Sequence, residues 1–239
     1  MATPIVFLPG LLCNHTVFAP QTEILSPNYP TFVTELTQHD SVAALARQVL
    51  TEAPDRFTLI GLSMGGYVAF EVLRQAMARV ERLVLLDTSA TPDDEATRRR
   101  RRGLIALSRQ GRFKGVTQRL LPQLVHPSRL GDLTLTDTII TMASDIGREA
   151  YLRQQTAILG RPDSRPLLPS IACPTLVICG RDDMLTPLER SREIAEAVPG
   201  GTLDIIEQAG HLVTLERPDA VNRALLRWLE ATSEVRKTG

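Results

Sequence analysis

A serine between two glycines is the feature of this sequence best suited to chemistry. The residues Gly-Leu-Ser-Met-Gly occupy positions 61–65, after an apolar run at 57–60 that predicts a buried strand and before a helical pattern that starts near Met64. A serine on such a sharp turn is held in a strained backbone conformation that exposes its hydroxyl. The N-terminus of the helix also directs free N–H groups toward negative charge that develops there. The pattern indicates Ser63 as a nucleophile, although an ordinary turn containing glycine and serine would have the same five residues.

The acid and the base that a serine nucleophile needs follow two later apolar runs. Asp182 and Asp183 come after the run at 174–179, and His211 comes after the run at 202–206. In a parallel sheet, active residues collect at the carboxyl ends of the strands. Histidine can take the serine proton and return it to a leaving group, and a carboxylate fixes the imidazole tautomer and stabilises its cation. The order serine, aspartate, histidine therefore predicts a catalytic triad, whereas His211 alone would also fit a histidine in a surface turn or in the core.

Six apolar runs predict the strands that position these residues. They lie at 4–8, 31–33, 57–60, 82–86, 174–179 and 202–206. Helical periodicity alternates with them, at about 42–50, 64–78, 188–198 and 218–229. Strands that alternate with helices indicate an α/β fold with a mainly parallel sheet and right-handed crossovers.

Residues 91–164 differ from the rest of the chain because strand-like runs give way to helical periodicity. Helices are predicted near 93–109, 112–122, 133–146 and 148–160. A segment of this length is too long for a loop. We therefore expect residues 1–90 and 165–239 to form the core domain and residues 91–164 to form an inserted, all-helical cap (a lid) over the active edge of the sheet.

The composition limits the classes of function. The chain has 239 residues, and its 27 lysines and arginines are balanced by 27 aspartates and glutamates, so its zero net charge argues against a nucleic-acid partner. No apolar run approaches the ~20 residues that span a bilayer, and we expect no secretory leader, because the first apolar run is short and meets Pro9. The cysteines Cys13, Cys173 and Cys179 lack metal-ligand spacing and indicate reduced thiols in a cytoplasmic protein. We expect neither a metal nor a cofactor.

Five motifs along nearly the whole chain resemble those of the α/β-hydrolase superfamily, in its esterase and lactonase branch. They are Phe-Leu-Pro-Gly-Leu-Leu at 7–12, Gly-Leu-Ser-Met-Gly-Gly at 61–66, Gly-Arg-Asp-Asp-Met-Leu-Thr-Pro at 180–187, Ala-Gly-His-Leu at 209–212 and Leu-Glu-Arg-Pro at 215–218. The resemblance implies the α/β-hydrolase fold, with Ser63 as nucleophile and His211 as base. The family's spacing favours Asp183 over Asp182 as the acid. Asp87 is a third candidate, because some members carry the acid after the preceding strand; it would otherwise cap that strand.

The resemblance also implies an oxyanion hole made by two backbone N–H groups. One belongs to the residue after the nucleophile, Met64, and we assign the other to Leu11, which follows Pro9 and Gly10. The family more often has His-Gly at this turn, but Pro9 is not the required donor, so its missing N–H leaves the hole intact. The chain begins three residues before Pro4, so we expect the family's usual N-terminal β-hairpin to be absent, which leaves six parallel strands.

The predicted cap contains two further patterns. Its apolar residues, including Leu104, Leu107 and Leu120, are expected to pack the cap together, with a few lining an apolar pocket over Ser63; the sequence does not identify the substrate-binding residues. The run of five arginines at 98–102 would suit an anionic group such as phosphopantetheine or coenzyme A, but a solvated helix face is the favoured interpretation in a chain this rich in arginine.

The sequence therefore predicts a cofactor-free serine hydrolase that cleaves a small carboxylic ester, lactone or thioester through an acyl-enzyme on Ser63. A carbon–carbon bond hydrolase, a hydroxynitrile-type lyase and a ligand-sensing receptor with a slow triad are alternatives on the same fold. The expected partner is a small acyl substrate. The sequence leaves a monomer and a dimer both open.

Overall fold

The computed structural model describes residues 2–234, with the side chains of 233 and 234 excluded. Its six strands form one sheet in the order β2-β1-β3-β4-β5-β6. Every neighbouring pair of strands is parallel. The strands are β1 (Ile5–Leu8), β2 (Thr31–Val33), β3 (Phe57–Leu62), β4 (Val80–Leu86), β5 (Thr175–Gly180) and β6 (Thr202–Ile206). The predicted six-stranded parallel sheet is thus confirmed, with each predicted strand in place.

Nine α-helices accompany the sheet in residues 2–234. They are α1 (Ala19–Leu25), α2 (Val42–Glu52), α3 (Met64–Ala76), α4 (Glu95–Leu107), α5 (Leu121–Leu124), α6 (Leu133–Leu159), α7 (Leu188–Ala197), α8 (Val213–Glu216) and α9 (Pro218–Glu234). None of the helices in this part of the chain is long and apolar enough to cross a membrane.

Apolar side chains on both faces explain why the central strands read as unbroken apolar runs. In β1, Ile5 and Phe7 belong to the core layer that also contains α9, whereas Val6 and Leu8 belong to the layer that contains α2 and α3. All residues of β1, β3 and β5 are buried. Because every neighbouring pair of strands is parallel, the carboxyl ends of the strands meet at one edge of the sheet.

The segment between β4 and β5 departs from the prediction in one place and agrees with it in another. No helix forms over 113–120, because Gly111 and Gly115 adopt φ angles of 79° and 61° and interrupt it, and the four-residue α5 follows instead. The long α6 is broken at Gly147, where φ is 74°, which agrees with the two helices predicted there. The prediction for the helix at 112–122 was therefore wrong.

The leucines expected to pack this segment divide into two groups. Leu121 is 1% exposed and belongs to the core. Leu104, Leu107 and Leu120, in contrast, are 42%, 45% and 40% exposed. These three side chains are thus only partly buried, contrary to the expectation from their apolar character.

Gly65 allows α3 to pack close to the sheet, so a larger residue at this position should reduce the stability of the protein. A Cβ atom added at Gly65 would collide with the backbone oxygen of Leu8, whereas one at Gly103 of α4 would meet no atom within 4 Å. Replacing Gly65 by alanine should lower the free energy of unfolding by about 3 kcal/mol or more. Gly103→Ala is the control, and it should raise stability by roughly 0.5–1 kcal/mol because glycine disfavours a helix interior. Urea denaturation of both variants measures the difference, and equal stabilities would contradict it.

Candidate active site

Ser63 occupies a sharp turn between β3 and α3. Its φ and ψ angles of 53° and −113° lie in a region that non-glycine residues rarely adopt. The Ser63 N–H donates to the Leu86 carbonyl at 2.9 Å, and the hydroxyl of Thr88 donates to the Ser63 carbonyl at 2.8 Å. A Cβ at Gly66 would collide with Thr88, so the glycine makes this support possible. The end of β4 thus holds the strained turn in place.

The ring of His211 connects the serine to a carboxylate. Ser63 Oγ lies 2.8 Å from His211 Nε2, and His211 Nδ1 lies 2.9 Å and 3.0 Å from the two carboxylate oxygens of Asp183. His211 is 5% exposed, so its ring is shielded from competing water. The structure therefore brings together the three side chains selected from the sequence, in an arrangement suited to transfer of the serine proton.

The Asp183 carboxylate is held by more than the histidine. It accepts hydrogen bonds from the backbone N–H groups of Leu185 and Thr186 at 2.8 Å and 3.0 Å, and from the Thr186 hydroxyl at 2.7 Å. Burial by itself raises the pKa of Asp183, but the charge and hydrogen bond of His211 and the bonds from Thr186 outweigh burial and leave the pKa below its ordinary value. The carboxylate is thus ionised beside the imidazole.

The other two candidate acids have different surroundings. Asp182 has a side chain that is 45% exposed, and its carboxylate lies 3.6 Å from the ring of His126 rather than beside His211. Asp87 is fully buried and accepts the N–H groups of Gly180 at 2.8 Å and Val213 at 3.1 Å. Burial, followed by the nearby charge of Asp183, raises the pKa of Asp87. The Asp87 side chain therefore ties the end of β5 to the start of α8.

A buried glutamate that the sequence did not single out as functional supports the histidine loop. Glu216 accepts the N–H groups of Gly210 and Leu212, on either side of His211, at 2.9 Å and 3.2 Å. Its other oxygen accepts the N–H of His126 at 2.7 Å. Burial raises the pKa of Glu216, against the lowering effect of these hydrogen bonds. Only its place in the Leu-Glu-Arg-Pro motif could have indicated Glu216.

The two residues predicted to supply oxyanion donors flank the serine turn. Met64 is the first residue of α3, and Leu11 follows Gly10, where an added Cβ would lie 3.4 Å from the Ser63 Cβ. Within residues 2–234, neither the Leu11 N–H nor the Met64 N–H donates to a protein acceptor. Both groups are thus free for a ligand, as the first turn of a helix and a tight loop allow.

Cysteine chemistry does not suit this site. Burial raises the pKa of the Cys13 thiol to about 12, so the thiolate that a nucleophile requires does not form near neutral pH. The Cys179 thiol lies with the carboxylates of Asp87 and Asp183 in a group whose ligand atoms are within 4.8 Å of one another. Backbone N–H donors already occupy both carboxylates, which fits a structural cluster better than a metal centre.

A parallel sheet with serine, aspartate and histidine beyond the carboxyl ends of three strands is the architecture of one class of hydrolase. The chain belongs to the alpha/beta hydrolase family, whose family model matches residues 5–224. This match confirms the superfamily and the fold class expected from the five sequence motifs.

Named relatives cover almost the whole chain. A Rhizobium rhizogenes protein assigned as carbamate hydrolase RutD is 26% identical, over 98% of this chain and 95% of that protein. A pimeloyl-[acyl-carrier protein] methyl ester esterase from Chromobacterium violaceum is 27% identical, over 95% of this chain and 94% of that protein. The solved structure of a thermophilic esterase from Thermogutta terrifontis superposes with a TM-score of 0.85 at 28% identity, covering 97% of this chain and 91% of that one. These similarities support a hydrolase.

The different surroundings of Asp182 and Asp183 give a test of the acid. Asp183→Asn should lower kcat by about four orders of magnitude, because the amide no longer fixes the imidazole tautomer. Asp182→Asn is the matched control and should change kcat less than threefold, since its side chain points to His126 at the surface. Steady-state hydrolysis of an activated ester measures both. A larger loss in Asp182→Asn than in Asp183→Asn would contradict the assignment.

Proposed function

We propose that the chain is a cofactor-free serine hydrolase that cleaves a small carboxylic ester, lactone or thioester through an acyl-enzyme on Ser63. The observation that carries this proposal is the continuous hydrogen-bonded line from Ser63 Oγ through His211 to Asp183, with distances of 2.8 Å and 2.9 Å. A serine hydroxyl is a weak nucleophile at neutral pH, and this line supplies the base that activates it.

In the first half of the reaction, Ser63 Oγ attacks the substrate carbonyl carbon while its proton passes to His211 Nε2. Asp183 stabilises the resulting imidazolium, and the N–H groups of Leu11 and Met64 bind the negative oxygen of the tetrahedral intermediate. Each such donor contributes about 3–4 kcal/mol to the transition state. When the intermediate collapses, the bond to the alcohol or thiol breaks, and the leaving group takes the proton from His211.

In the second half, water replaces the departed alcohol. His211 Nε2 takes one proton from the water as its oxygen attacks the acyl carbon, and the same donors hold the second oxyanion. The bond between the carbon and Ser63 Oγ then breaks, Ser63 regains its proton from His211, and the carboxylic acid leaves. The sum of both halves is hydrolysis with no oxidant, metal or other co-reactant.

The relatives support a carbonyl substrate with a leaving group. Two of them are named as esterases and a third as a carbamate hydrolase, and all of these names describe hydrolysis at an acyl carbon. The carbon–carbon hydrolase, lyase and receptor alternatives have no comparable support among these three. An ester is therefore the substrate class to test first.

We further infer that residues 91–164 act as a lid on a core made of residues 1–90 and 165–239. The Leu124 carbonyl accepts the N–H groups of His211 and Leu212 at 2.9 Å and 3.2 Å. From α6, the amide oxygen of Gln154 accepts the Leu12 N–H at 3.1 Å, next to the proposed oxyanion donor Leu11. These contacts support a lid that touches both the base loop and the oxyanion turn.

Hydrolysis of p-nitrophenyl esters from acetate to decanoate tests the proposed function. The wild type should release p-nitrophenol, and Ser63→Ala should lower kcat/KM by at least about 10⁴-fold, because the nucleophile is lost. The chain length at which the rate is highest would measure the acyl pocket.

Ser170→Ala is the matched control, since Ser170 is an exposed serine whose hydroxyl donates to the nearby Leu167 carbonyl. It should retain wild-type activity. Ester hydrolysis that survives in purified Ser63→Ala at the wild-type rate would reject Ser63 as the nucleophile. No activity in the wild type toward any of the esters would reject the simple-ester substrate class.

A further inference from the structure

Residues 95–119 concentrate the positive charge of the chain. This basic segment contains nine of the 27 lysines and arginines but only one acidic residue, Glu95. The remainder of the chain therefore carries 18 basic and 26 acidic residues. Although the net charge of the chain is zero, its positive charge is concentrated in α4 and in the loop that follows it.

Three of these cations have partners within the fold. Arg98 donates to the Leu159 carbonyl at 3.1 Å, at the end of α6, and Arg101 forms a salt bridge with Asp93 at 2.8 Å. Arg102 pairs with Glu95 at the surface. The other six cations are exposed and form no salt bridge to the described residues: Arg99, Arg100, Arg109, Arg112, Lys114 and Arg119. Internal ion pairs therefore do not account for the charge of the segment.

Apolar side chains lie on the same exposed face. Arg100, Leu104 and Leu107 are spaced at i, i+4 and i+7, so they form one row along α4. Ile105, on the other side of the helix, is only 8% exposed. Leu120, directly after the segment, is a third exposed leucine. The exposure of these leucines beside unpaired arginines needs an explanation that packing within the chain does not provide.

We propose that the outer face of the basic segment binds an anionic lipid surface. A helix that presents leucine between arginine and lysine lies in the plane of a membrane interface, where its cations meet lipid head groups and its leucines enter the acyl boundary. The cations are spread over the segment rather than gathered around one point, which suits a diffuse negative surface more than a single phosphate.

An acidic protein is the competing occupant, and the lack of an exposed aromatic residue on this segment argues against it. The strongest anchors of protein interfaces are enriched in tryptophan and tyrosine as well as in arginine. The aromatic residue of this segment, Phe113, instead packs on Tyr151 with ring centroids 5.0 Å apart. The exposed face therefore has cations and aliphatic side chains, but no aromatic anchor.

This inference goes beyond the proposed function, since lipid binding requires neither Ser63 nor His211. It would place the enzyme at a membrane surface without a spanning helix. Esters dissolved in the membrane would then reach the protein at a higher local concentration than esters in water.

Flotation of the full chain with lipid vesicles tests the proposal. The protein should float with vesicles in which a third of the lipid is phosphatidylserine, and not with vesicles of phosphatidylcholine alone. Raising the salt concentration should weaken binding, because it screens the charges. The double variant Arg99→Glu/Arg100→Glu should reduce the partition coefficient by at least 25-fold, since each cation near the surface contributes about fivefold. Leu104→Ser/Leu107→Ser should also reduce it, at unchanged charge.

The matched control is Arg47→Glu/Arg223→Glu, which makes the same change of charge at exposed arginines of α2 and α9. This control should bind vesicles like the wild type, and so should Ser63→Ala. All variants except Ser63→Ala should hydrolyse a short soluble ester at the wild-type rate, which shows that they are folded. If the wild type hydrolyses no ester, unchanged thermal unfolding shows that the variants are folded. The lipid result can then be interpreted independently of the proposed function.

Three results would overturn the proposal. The first is no flotation with anionic vesicles at low salt. The second is equal loss of binding in the control and in Arg99→Glu/Arg100→Glu, which would assign binding to net charge alone. The third is capture of a fluorescent polyglutamate peptide by the wild type with no binding to vesicles, which would assign the face to an acidic protein.

Discussion

The two hydrogen bonds of the His211 ring are the interaction on which the rest of the structure depends. They join residues that are far apart in the chain, so Ser63, Asp183 and His211 meet only if β3, β5 and β6 are in register. The parallel pairing of β3 with β4, of β4 with β5 and of β5 with β6 provides that register, and β3 and β5 are buried along their whole length. The sheet thus positions the three side chains within the hydrogen-bond distances that proton transfer needs.

Buried carboxylates hold the loops of the site in fixed positions. Asp87 and Glu216 each accept backbone N–H groups from loops that carry the acid or the base. Removing either carboxylate would leave buried N–H groups without an acceptor, at about 1–3 kcal/mol for each group. Stability and the geometry of the site are therefore coupled, and the strained turn at Ser63 persists because β4 bonds to it from one side.

The sequence predicted most of the fold, because burial on both faces of the strands leaves short apolar runs that are easily found. It also selected the three side chains that the structure brings together, although their roles stay predictions. It did not identify Thr186 or Glu216, because their contacts depend on loops folded against each other. The helix at 112–122 was wrong because two glycines adopt positive φ, and the exposed leucines of α4 could not be told from buried ones by composition.

The most direct measurement of whether Ser63 and His211 work as one unit is a double-mutant cycle on ester hydrolysis. Ser63→Ala, His211→Ala and the double variant are compared by kcat/KM. If the two side chains share a single proton-transfer step, the double variant should be no slower than the slower single variant, because either change already disables the whole unit. Losses that add in full on a free-energy scale would show that the two residues act independently and would contradict the proposed mechanism.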